Sequence, residues 1–196
     1  MSIVWKVGAA VLVLLAIAGA VKAITDDDSD PNYKTVTIGS TEVSIPFYIS
    51  GDELIPATIK RYMAKLGYVP AYRHCVAGEL ARKISPAELE GDSGVSATAF
   101  KEKTIDAMAQ ANPKCSEPGR PILDPDATPE QIARIRESLV AALPVELASL
   151  NLTADQTACA AKRVGQLSDA EVLAAENGGP SRGQAIFAKA MEPCFR

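Results

Sequence analysis

A histidine beside a cysteine, a short run of carboxylates and four scattered cysteines are the side chains of this 196-residue sequence with chemistry to offer. His74 and Cys75 together have the makings of a base and a thiolate nucleophile. Neighbours on a helix, however, diverge by about 100° and do not face one another. His74 is also the sole histidine, so no multi-histidine metal site and no triad without it can be built. Glu88, Glu90 and Asp92 offer a possible acid–base pair or metal cage. They sit where a capped helix start runs into a glycine turn, a place that acidic side chains favour for the helix dipole alone. Asp169 and Glu171 repeat that setting later in the chain. The glycines form neither a G-x-G-x-x-G nor a Walker pattern. The reading assigns no catalytic residue, no cofactor and no metal ligand.

Cys75, Cys115, Cys159 and Cys194 contain no C-x-x-C pair, which excludes zinc-ribbon, thioredoxin-type and c-type haem patterns. An even number of dispersed cysteines behind an export segment points to structural disulfides. The export segment is present. Val7 to Val21 is an unbroken apolar run, and Ile3 to Ile24 would span roughly 33 Å as a helix, close to a hydrocarbon core of about 30 Å. Trp5 suits the interface, and Lys6 and Lys22 can snorkel out of the apolar layer. The acidic run from Asp26 to Asp28 then favours a cytoplasmic N-terminus and an exported body. Ala18-Gly19-Ala20 and Val21-Lys22-Ala23 also roughly satisfy the small-x-small pattern of a cleaved signal peptide, the competing reading. Abundant alanine and the short anchor fit a bacterial inner-membrane protein with its body in the periplasm. A net charge of −4 gives no electrostatic footprint for nucleic acid.

The elements that position these residues divide the chain into six parts. Residues 1–24 are the anchor or signal peptide and make the contact with membrane lipid through residues 3–24, and 25–32 form an acidic stalk. Residues 33–50 alternate in polarity around Gly39-Ser40 and predict a β-hairpin. On it Val43, Ile45, Phe47 and Ile49 share one face, a candidate partner-docking surface, and Pro46 marks an edge strand. Beyond it the periodicity is helical, and two stretches match. Leu66 to Cys75 lies over Leu150 to Cys159 without a gap, with Ala158 where the first copy has His74. Ile84-Ser-Pro-Ala-Glu-Leu89 matches Leu167-Ser-Asp-Ala-Glu-Val172, an apolar stop followed by a serine cap. Glycine-rich loops follow at Glu90–Gly94 and Glu176–Pro180, and each copy closes on a proline and a cysteine. Pro144 is expected to interrupt the lead-in helix of the second copy.

The predicted architecture is therefore mainly α: a transmembrane helix, one hairpin, and two tandem disulfide-stapled helical modules at 51–116 and 128–196, joined by a linker at 117–127. The duplication pairs Cys75 with Cys115 and Cys159 with Cys194, because an ancestral single module closes its bridge within itself. Lys60, Arg61, Lys65 and Arg73 make a basic stripe near the first lead-in helix. The expected function is that of a noncatalytic, membrane-anchored accessory or assembly subunit of a larger membrane complex, its partner another envelope or membrane protein. A ligand- or lipid-binding module, with a cavity lined by Phe100, Ile105, Met108, Phe187 and Met191, is the alternative; a periplasmic enzyme is a second. Mass spectrometry of the native N-terminus should find the apolar segment retained; a chain beginning at Val21 or Ile24 would show a cleaved peptide instead.

Overall fold

The computed structural model describes residues 21–26, 33–38, 41–90, 97–117, 119–147 and 150–195. Strands β1 (Val21–Asp26), β2 (Tyr33–Ile38) and β3 (Thr41–Pro46) form an antiparallel sheet in the order β1-β2-β3. Alternation makes the hairpin: Val36, Val43 and Ile45 are buried on one face, while Glu42 is exposed on the other. The register pairs Val36 with Val43 and Ile38 with Thr41. Two boundaries read from the sequence move. Val21 to Ile24, the expected end of the membrane span, and Thr25 and Asp26, the expected start of the stalk, belong to β1. A third strand gives the hairpin the support that two strands lack in water. The rest of the anchor and stalk lies outside the described residues; among those described, no helix is long and apolar enough to cross a membrane.

Among the described residues eight helices follow: α1 (Leu54–Lys65), α2 (Pro70–Ala81), α3 (Pro86–Glu90), α4 (Ala97–Cys115), α5 (Pro129–Leu147), α6 (Ala154–Gly165), α7 (Asp169–Asn177) and α8 (Gly179–Met191). A 3₁₀ turn at Gly51–Glu53 leads into α1, and another at Glu192–Phe195 follows α8. The two sets of four share three packings, and α7 also lies on α8. In the first, α1 lies on α2 and α3, and α2 on α4; in the second, α5 lies on α6 and α7, and α6 on α8. Cys75–Cys115 ties α2 to α4, and Cys159–Cys194 ties α6 to the turn after α8. These bridges close loops with separations of 40 and 35 residues. Each restricts the unfolded chain by roughly 4 kcal/mol on the chain-entropy scale.

Local signals recur at matching places. Ser85 accepts from the Glu88 amide at 3.3 Å and its own amide donates to the Glu88 carboxylate at 2.7 Å; Ser168 and Glu171 do the same at 3.3 and 2.8 Å. Before the cysteine helices, Gly67 and Asn151 both take a positive φ, of 84° and 51°. Pro144 does not stop its helix: it sits exposed in the last turn of α5, where little of the helix remains to be disturbed. Both halves contribute to one core, and Met108, Phe187 and Met191 are buried in it. Phe100 is partly buried against that core; the side chain of Ile105 lies outside the described residues.

Both edges of the sheet are blunted. Strand β1 has an irregular register between Val21 and Ile24, the mark of a bulge. On β3, the pairing of Ile38 with Thr41 turns the backbone of Glu42 and Ser44 away from β2. Arg61 donates to the Ser44 carbonyl at 2.9 Å and Lys65 to the Glu42 carbonyl at 2.5 Å, while Pro46 has no amide to offer. Two members of the basic stripe are thus spent on a strand edge. Replacing Arg61 and Lys65 together by alanine should cost within about 1 kcal/mol of stability, since both are exposed. It should nevertheless raise self-association in light scattering; an unchanged monomer fraction would show that the caps do not protect the edge.

Candidate functional site

Among the described residues, a buried polar constellation lies where the halves meet. After α1, Gly67 lets the chain turn sharply, and a side chain there would also press on Gln131 at 3.2 Å. The turn lays Gly67 to Val69 antiparallel to the segment joining α4 to α5. The Val69 amide donates to the Ile122 carbonyl at 3.0 Å and the Asp124 amide to the Gly67 carbonyl at 2.9 Å, with Tyr68 bridged to Leu123. From the other side Asn177, the last residue of α7, clamps the same segment. Its Oδ1 accepts from the amides of Ile122 and Leu123 at 2.9 and 2.8 Å, and its Nδ2 donates to the Leu123 carbonyl at 3.0 Å. Within the expected linker at 117–127, Ile122 to Asp124 thus form a short connecting strand, an isolated bridge held from both halves, with Ile122 and Leu123 buried.

Beneath it run buried tyrosines. The Tyr68 hydroxyl donates to Glu176 Oε2 at 3.1 Å, and the Tyr72 hydroxyl to Asn112 Oδ1 at 2.9 Å, where Ser116 also donates at 2.8 Å. The rings of Tyr68 and Tyr72 lie 5.6 Å apart, tilted by 31°. The Ser138 side chain of α5 lies close to the Tyr62 hydroxyl of α1. Burial pushes the Glu176 carboxyl up to about 8, against the opposing pull of the Tyr68 hydrogen bond. Burial also raises all three phenols, Tyr62 to about 12.

Tyr72 forms the inner wall of a cleft of about 320 Å³, completed by Val69, Ala71, Pro121, Ile122 and the Cys75–Cys115 bridge. Lys114, Glu117 and Arg120 stand around it. Lys114 pairs with Glu79 at 2.7 Å, which holds the Glu79 carboxyl below its usual range, and Arg120 pairs with Glu117 at 2.8 Å. The cleft is at the small end of ligand pockets, and its lining can hold an apolar group beside charges of both signs.

The residues singled out in the sequence are dispersed. His74 is exposed, and its neighbour Cys75 is oxidised. Glu88 is held by its cap and by Lys103 at 2.5 Å, while Asp169 pairs with Arg136. The side chains of Glu90 and Asp92 lie outside the described residues. Among those described, no three His, Cys, Asp or Glu side chains are grouped to hold a metal. The expected docking face separates: Val43 and Ile45 are fully buried because α1 packs on β3, and Ile49 lies partly buried against the core. Phe47 alone of the four is open, at 48% exposure, and beside it Tyr48 is 85% exposed.

Sequence reasoning missed Glu176 and Asn177, which look like the start of a glycine loop but close α7. Their partners are 108 and about 54 residues away, beyond any local pattern. Replacing Asn177 by alanine leaves two amides and a carbonyl of the connecting strand without partners. It should cost about 2–4 kcal/mol, seen as a lower denaturant midpoint; a loss below about 0.5 kcal/mol, within the range of ordinary surface substitutions, would show the clamp to be dispensable. Comparison with family models, curated proteins and solved structures finds no match for this chain.

Proposed function

We propose that this protein is a noncatalytic accessory or assembly subunit, tethered to a bacterial inner membrane by the apolar segment ahead of β1. Its periplasmic body, built from two copies of a disulfide-stapled four-helix unit, would dock on another membrane or envelope protein. Two disulfides suit an oxidising compartment, which supports export. The observation that carries the docking reading is the pair Phe47 and Tyr48. They stand exposed directly after β3, while the other apolar residues of that strand are buried. Exposed aromatics of this kind anchor interfaces, because they bury much area at little entropic cost. The capped edge of β3 supports side-chain docking in preference to strand addition.

The tether matters to the energetics. A body held in the plane of its partner needs only modest intrinsic affinity, since tethering raises its effective concentration. The cleft beside Cys75–Cys115 supports a second reading, capture of a small apolar ligand.

The two are separable by mutation. Replacing Phe47 and Tyr48 by alanine should remove about 2 kcal/mol of binding each, roughly thirtyfold in affinity per residue. In mild detergent the double variant should lose its comigration with the larger assembly. Ala71→Trp, at the exposed mouth of the cleft, should leave comigration intact. Comigration that survives the aromatic double variant and fails with Ala71→Trp would favour the cleft reading. A native full-length protein running as a lone 20.6 kDa monomer would sink the accessory-subunit reading altogether.

A further inference from the structure

We propose that Tyr68, Glu176 and Asn177 form a proton-operated joint: protonated Glu176 locks the two halves across the connecting strand, and its ionisation releases them while each half stays folded around its own disulfide. The geometry carries this. Glu176 is 3% exposed, with Oε2 taking the Tyr68 hydroxyl and Oε1 buried without a hydrogen-bond partner. A carboxylate in that position would have one protein donor and almost no exposure to solvent, whereas the neutral acid carries no charge to solvate. To ionise, Glu176 must reach water, and the side chain hydrogen-bonded to it is Tyr68 of the other half. The adjoining residue, Asn177, holds Ile122 and Leu123, so hydration at Glu176 also loosens that clamp.

Among the described residues, no cation acts on Glu176. Tyr68 and Tyr72 of the first half face Glu176 and are held neutral by burial. On α5, Arg136 is paired with Asp169 in the first turn of α7. On α8, Lys189 acts on Glu171, and the stem of Arg182 lies over Gly178. On the connecting strand, Arg120 is paired with Glu117, and Asp124 and Asp126 are exposed.

The direction of the pH effect follows. Burial raises the closed-state carboxyl from 4.5 to about 8. Its contribution to closure is complete below 4.5, falls as pH rises between the two values, and is lost above about 8. Amide-resolved hydrogen exchange on the full chain in detergent micelles tests the joint. Protection at Val69, Ile122 and Leu123 should fall on the order of 10- to 100-fold between about pH 6 and pH 9, while Val76 and Leu80 in α2 stay protected. In Glu176→Gln the fall should vanish. Tyr68→Phe removes the bond that favours the charged form, so it should move the midpoint of the fall to higher pH. An equal fall in Glu176→Gln, or a matching fall at Val76 and Leu80, would overturn the proposal. So would a Tyr68→Phe midpoint that is unchanged or lower, which decides the question even if Glu176→Gln does not fold.

Discussion

The peptide groups of Ile122 and Leu123 lie where water reaches them poorly, and a chain crossing such a place must find protein partners for every amide and carbonyl. Gly67 and Val69 supply them from one half, Asn177 from the other. Much else depends on this bracket. It brings Tyr68, which lies between α1 and α2, onto Glu176 of α7, and sets Ile122 as a wall of the cleft. A unit of about 65 residues buries too little surface to be robust alone. Each half here has a disulfide, and the bracket lets both add to one core. Stability and the relative placement of the halves thus come from the same strand.

The sheet and the joint treat polar groups in opposite ways. At the sheet, exposed cations on α1 cover the carbonyls of β3, and a bulge disturbs β1, so neither edge is a clean template for another chain. At the joint, a carboxyl is kept dry although one of its oxygens has no partner. Such a group weakens the fold near neutral pH, yet it gives the contact between halves a direction and a register that an apolar contact would lack. Phe47 and Tyr48, on the segment after β3, are left open, as is Phe195 at the other end of the body.

Much of the fold was legible because it rests on short-range rules. Ser85 and Glu88, or Ser168 and Glu171, are three residues apart, a spacing that a helix start converts directly into reciprocal hydrogen bonds. Alternation around Gly39-Ser40 specified a hairpin and the inward face of Val43 and Ile45. The matched cysteines specified both bridges, since repetition selects one pairing of the three that four cysteines allow. These inferences need only a periodicity of two or 3.6, or a comparison of the chain with itself.

What covers a face cannot be read from that face. The hairpin pattern says that Val43 and Ile45 share a side, but only the packing of α1 decided that the side belongs to the core rather than to a partner. Proline and glycine at 118–121 announced an irregular segment, yet backbone punctuation carries no information about burial, and Leu123 is fully enclosed. Arg61 and Lys65 looked like a solvated stripe until a strand edge came within reach. Glu176 and Asn177 looked like loop residues because glycines follow them. Spacing along the chain determined the helices, the hairpin and the staples, whose partners meet through local geometry or repetition. Tertiary structure alone decided the joint, because its carboxyl, tyrosines and clamp come from segments that approach one another only when the two halves share a core.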